Sequence, residues 1–207
     1  MRRANDLGRS AMRLLLSCLL VLCLLLCSTA CSPAPKDPFA YAASPFSVSV
    51  EGTYRPASDE GGTPRPFAAE IAASAPVGGD PILRGLTVTF VSPDSLSGLT
   101  VTAALSPSAD GTVARAVTLA YPTDYGNLQA TAQGSEFDGY LRFAEAWLPM
   151  GDITEVSPKA PDGTYTVTRQ SGERKAVFTF SDESLPIGVK LTDSRGVIEM
   201  RIRNETE

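Results

Sequence analysis

From Phe46 to Ile202 the sequence keeps returning to one pattern: apolar side chains at alternate positions over five to nine residues, then a turn signal, then the alternation again. Successive side chains on an extended strand point to opposite faces, so these runs predict half-buried antiparallel strands. Phe46, Val48 and Val50 form the first such set, Leu86, Val88 and Phe90 the next, then Leu99, Val101, Ala103 and Leu105. Beyond Asp110-Gly111 the pattern resumes at Val113, Val117, Leu119 and Tyr121. Asp162-Gly163 introduces Tyr165 and Val167, Ser171-Gly172 leads to Ala176, Phe178 and Phe180, and a turn at Asp193 to Gly196 joins Ile187, Val189 and Leu191 to Ile198, Met200 and Ile202. Tight Asp-Gly and Gly-containing turns suit hairpins, and strands joined so closely are most simply neighbours in a meander. Phe67 to Ala75, rich in alanine, reads as helix or strand. Strand is favoured because Pro66 and Pro76 bracket only nine residues.

One stretch follows a different period. Phe137, Tyr140, Leu141, Ala144, Trp147 and Leu148 recur at helical spacing, with Ser135 as N-cap, Glu136 and Asp138 in the first turn and Pro149 after the last. A helix of about three turns with its aromatic face on the sheet is expected. A twisted antiparallel sheet of eight to ten strands does not stay flat. The expected fold class is therefore α+β: a curved antiparallel sheet, a half-barrel built as a meander, with one main helix packed on its concave face.

The N-terminal segment carries an address. Arg2, Arg3, Arg9 and Arg13 precede the 13-residue apolar run Leu14 to Leu26, which as a helix is about 20 Å long, short of a ~30 Å bilayer core. Ser28-Thr29-Ala30-Cys31 follows, then the Pro-rich Ser32 to Pro45. This arrangement resembles a bacterial lipoprotein signal, which implies cleavage after Ala30 and acylation of Cys31. The expected organisation is a signal peptide over residues 1–30, a tether over 31–45 and a folded domain over 46–207. Such a chain would be held at the extracytoplasmic face of the cell membrane by acyl chains, whose burial contributes ~0.8 kcal/mol per methylene. Losing four arginines and Asp6 with the signal moves the formal charge from −5 to −8.

The lipidated N-terminus, the first strand Phe46 to Gly52, the meander, the late helix and the closing pair Leu185–Leu191 with Gly196–Ile202 together resemble a bacterial envelope superfamily. It contains the lipoprotein carrier and insertion factors, an anti-sigma-factor regulator of similar fold and mycobacterial lipid-binding lipoproteins. The resemblance implies a curved half-barrel whose apolar cavity accepts acyl chains. The carriers are soluble, whereas acylation of Cys31 would tether this chain, which suits insertion, sensing or retention better than shuttling.

Composition removes many chemistries. The chain has no histidine, and its cysteines are Cys18, Cys23, Cys27 and Cys31. No His-based nucleophile machinery, no Cys/His zinc site and no disulfide within the domain can be assembled. An acidic chain with scattered cations is a poor partner for nucleic acid. Asp59-Glu60 and Asp182-Glu183 read as solvated loop pairs rather than calcium or acid–base sites. No Ser-x-x-Lys stands among the lysines. Arg169, Arg174, Lys175, Arg201 and Arg203 form the main basic cluster, either facing anionic headgroups or simply solvated. Phe137, Tyr140, Leu141 and Trp147 are candidates for the wall of a lipid-binding cavity, with ordinary core as the competing reading. The sequence thus points to a non-enzymatic, membrane-anchored envelope lipoprotein without cofactor or metal, which binds a hydrophobic ligand (lipid or lipoprotein) or an envelope or spore-assembly protein. The alternatives are a purely structural or regulatory interaction domain with a filled core and, remotely, a hydrolase using carboxylates alone.

Overall fold

The computed structural model describes residues 37–59, 61–107, 113–124, 126–132 and 138–203. The expected signal peptide with its Ala30–Cys31 junction, the first part of the tether, the Asp110-Gly111 turn, and Ser135 to Phe137 lie outside them. Among the described residues there are eleven strands: β1 (Phe46–Pro56), β2 (Arg65–Ala73), β3 (Leu86–Ser92), β4 (Thr100–Pro107), β5 (Val113–Thr123), β6 (Gly126–Ala132), β7 (Asp152–Val156), β8 (Tyr165–Ser171), β9 (Arg174–Phe180), β10 (Pro186–Asp193) and β11 (Gly196–Ile202). The single α-helix among the described residues, α1 (Asp138–Glu145), falls between β6 and β7.

All strands join one sheet in the order β6-β5-β4-β3-β2-β1-β11-β10-β9-β8-β7, each antiparallel to its neighbours. The order resolves into two meanders, β1 to β6 and β7 to β11, zipped together where β1 meets β11. Val50 lies opposite Ile202 there, and Tyr54 opposite Ile198. The sheet is open and curved, with β6 and β7 as its two edges, rather than closed as a barrel. The expected fold class holds, with eleven strands in place of eight to ten. The Phe67 segment is a strand.

Burial follows the alternation. Phe67, Ala69, Ile71 and Ala73 of β2, Leu86, Val88 and Phe90 of β3, and Ala176, Phe178 and Phe180 of β9 are all buried on the concave face. The outer face is solvated and rich in threonine: Thr87 pairs with Thr102, Thr89 with Thr100 and Thr118 with Thr131, at 3.5, 3.1 and 3.2 Å between hydroxyls. β-Branched polar side chains fit that environment, since they favour the pleated backbone and lose little by facing water.

The helix is shorter than its spacing predicts. It covers about two turns, and its end tightens: Ala146 N–H still reaches Arg142 O, but Trp147 and Leu148 donate to Ala144 O and Glu145 O in 3₁₀ fashion. α1 packs against β2, β3 and β4. The opposite half of the concave face is covered by a segment expected to be tether. Residues 37–45 are folded there, with a 3₁₀ turn at Ala40–Ala43. Phe39 lies edge-on to Phe178 and Phe180, with ring centroids 5.0 and 5.4 Å away, and Ala42 is buried. Two aromatic residues in this short stretch, Phe39 and Tyr41, supply the apolar area that a solvated linker lacks.

Candidate functional site

Most of the concave face is filled, and an apolar cleft of about 460 Å³ remains at one end, between the start of α1 and strands β1 to β3. Phe143 is its hub. The Phe143 ring meets Phe67 of β2 at 4.7 Å, Phe90 of β3 at 5.3 Å and Tyr54 of β1 at 6.0 Å, each close to edge-on. Tyr140, one turn earlier on the helix, meets Phe90 at 6.2 Å. Edge-to-face pairs place ring hydrogens on π faces and hold rings apart at fixed angles. Such rings wall a slot that they do not close. Pro66, Pro93, Leu96 and Gly139 complete the wall, and Arg65 and Ser95 are its polar members. Arg65 is already paired with Asp59 at 3.3 Å. The size and the mostly apolar lining are those of a small-molecule site.

The candidates from the helical stripe separate. Tyr140 lines the cleft, half-buried. Leu141 and Trp147 are wholly buried in the core, and Phe137 lies outside the described residues. Phe143, which spacing did not single out, is central. Trp147 sits where the two covers meet: the Tyr41 hydroxyl donates to its carbonyl at 2.5 Å, while its indole N–H is buried without an acceptor among the described residues. Burial pushes the Tyr41 hydroxyl well above its ordinary pKa, against the opposing effect of the Arg169 and Arg84 cations. Arg84, itself buried, donates to the carbonyls of Ala42 and Ser44.

The basic residues do not form one patch. Arg169 turns inward, 4.8 Å over the Phe39 ring, and donates to Gly151 O. Arg174 donates to Glu145 O at the end of α1, and burial lowers its pKa despite nearby Glu145 and Asp193. Arg201 pairs outward with Glu51. Of the carboxylate pairs, Asp182 binds Lys159 at 2.6 Å, Asp59 binds Arg65, and Glu60 lies outside the described residues. Among the described residues no three potential metal ligands come together, and no helix is long and apolar enough to cross a membrane. A second hollow, of about 540 Å³, lies over the β1–β11 seam at Gly52, where Glu51 and Arg201 neutralise each other.

No family model matches the sequence, and no curated protein is similar to it. Among solved structures the chain is similar to a DUF1329 family protein from Desulfovibrio piger, with 11% identity and a TM-score of 0.36 over 85% of this chain and 96% of that one. An open antiparallel sheet with one helix agrees with the half-barrel architecture that the carrier-like resemblance implies.

Proposed function

We propose that the chain is a non-enzymatic envelope lipoprotein, anchored through acylated Cys31 at the extracytoplasmic face of the membrane, which binds an apolar ligand of the acyl-chain class between α1 and the sheet. The observation that carries this reading is the cleft walled by Tyr54, Phe67, Phe90, Tyr140 and Phe143. Its apolar surface would leave water on binding at about 25 cal/mol per Å². The test is mass spectrometry of lipid co-purified with the native protein, compared with Tyr140→Ser, which alters a half-buried wall residue. Bound lipid that falls at least tenfold in the variant is expected; lipid-free native protein overturns the reading. Membrane association is expected to disappear in Cys31→Ser, and a variant that stays fully bound refutes the anchor.

A second reading has its own support. Away from the cleft the concave face is occupied by the protein's own side chains, with Leu141 and Trp147 at zero exposure. That filling favours a domain that acts through its surface on an envelope or spore-assembly protein. Capture of a defined protein by lipid-free material would distinguish it from the first.

A further inference from the structure

Among the described residues the sheet ends in two unpaired edge strands, β6 and β7, and they are built differently. β7 is five residues long, carries Asp152 and Glu155, is interrupted by a register shift between Ile153 and Glu155, and is followed by Pro158. Short length, charge, irregularity and proline are the devices by which an edge is kept from pairing with another strand. β6 has none of them. Its seven residues, Gly126-Asn-Leu-Gln-Ala-Thr-Ala132, include no charge and no proline, in a chain of net charge −5. It follows β5 in unbroken register from Val117↔Ala132 to Thr123↔Gly126. Among the described residues, no strand pairs with its outer side.

The side chains at this edge are unevenly covered. Leu128 and Ala130 lie on the concave face, opposite Tyr121 and Leu119 of β5. Leu128 is 67% exposed and Tyr121 36%. This apolar shelf continues the core outward beyond the strands that α1 covers. A strand in the interior of a sheet has its backbone groups satisfied on both sides, whereas every second residue of an edge strand leaves N–H and C=O without a ladder partner.

From this contrast we infer that β6 is a self-association edge, pairing antiparallel with β6 of a second copy about a two-fold axis. A second copy suits this edge because it is uncharged and self-complementary. Full overlap places Gln129 on the axis, Leu128 opposite Ala130 of the other copy and Asn127 opposite Thr131. Apolar then meets apolar on the concave side, and amide or hydroxyl meets the same on the outer side. The same operation on β7 would set Asp152 opposite Val156 and Glu155 opposite Ile153, so each acid would meet an apolar side chain across a ladder already broken by the register shift. Two sheets joined through β6 form one continuous sheet whose remaining ends are both β7, so association stops at the dimer. The inference is independent of what the aromatic cleft binds.

Cysteine cross-linking of the full-length chain in its membrane tests it. Mild oxidation of Gln129→Cys is expected to give a disulfide-linked dimer at least tenfold faster than Glu155→Cys. Adding Leu128→Lys to the Gln129→Cys chain should remove that dimer, and Leu128→Lys alone should leave detergent-solubilised protein monomeric in sedimentation while the unmutated chain sediments as a dimer. Equal cross-linking at the two edges, or a monomeric unmutated chain, overturns the proposal. Sedimentation does not depend on reaction at the cysteine, so a slow oxidation alone does not leave the proposal undecided.

Discussion

Arg142 and Asp193, 51 positions apart, close on each other inside the molecule. Arg142 Nη2 lies 2.5 Å from one carboxylate oxygen and Nε 3.2 Å from the other, with the side chains only 2% and 10% exposed. The same guanidinium donates to Gly196 O at 3.2 Å. The pair fastens the helix that connects the two meanders to the turn of the last hairpin. Breaking a buried pair from one side strands a charge, whereas replacing both partners by apolar groups does not. Asp193→Ala is expected to lower the unfolding free energy by about 3–5 kcal/mol, and Arg142→Met with Asp193→Leu by clearly less. Urea unfolding of the unmutated chain and these two variants measures this; a double variant as unstable as Asp193→Ala would contradict it.

Tyr41 predicts a response to alkali. Its hydroxyl is buried and its pKa raised, so above a pH of about 10, the ordinary tyrosine value, the unfolded chain loses this proton while the folded chain retains it. The contribution is fully present below the unfolded pKa and declines as the pH climbs past it. At neutral pH Tyr41→Phe should be less stable by about 0.5–1.5 kcal/mol, the worth of the hydrogen bond to Trp147 O. Thermal melts between pH 7 and 11 should show that deficit shrinking above pH 10. A constant difference would mean that Tyr41 does not titrate as a buried group.

Gly52 marks a tight point in the sheet. A Cβ built there would stand 2.1 Å from Glu199 O, a backbone atom of the partner strand that has no side-chain freedom with which to yield. Gly52→Ala is expected to cost about 1–3 kcal/mol by overpacking. Hydrogen exchange should locate the damage at the β1–β11 pairing, with amides of β4 and β8 unaffected below global unfolding.

Trp147 combines full burial with an indole N–H that has no acceptor among the described residues. Trp147→Ala should cost about 3–5 kcal/mol through the cavity it opens. Trp147→Phe loses volume but also removes an unsatisfied donor, itself worth about 1–3 kcal/mol. It should therefore be nearly neutral in denaturant unfolding, and a loss as large as that of alanine would show that the N–H is satisfied.

Eight of the eleven strands announce themselves in the sequence because one of their faces is buried and the alternation records it, while β2 is legible as strand only from the prolines that bracket it. β6 and β7 do not. Apart from Ala132, every residue of β6 is exposed, as is every residue of β7, so no apolar period distinguishes them from loop. The helix was legible from its apolar positions, but Arg142 and Phe143 were not. Both are buried by partners that local spacing cannot encode, Asp193 for the first and rings from β1, β2 and β3 for the second. The cleft is equally invisible in one dimension, since Tyr54, Phe67, Phe90 and Tyr140 meet only when four elements converge. Phe39 and Tyr41 did leave a signal, two aromatics amid prolines, which the reading of that segment as a tether passed over.

The β1–β11 seam also sets an order of events. Every other pairing in the sheet joins strands adjacent in sequence, so each meander can zip up hairpin by hairpin with little loop closure. Val50 must find Ile202 across 152 residues, and the entropy of closing so long a loop is met only when that pairing forms. The midline of the finished sheet is then its youngest part. A chain emerging in sequence would carry β1 with one side unpaired until its last strand arrives, and agents that hold or trap the unfinished protein should act along that line.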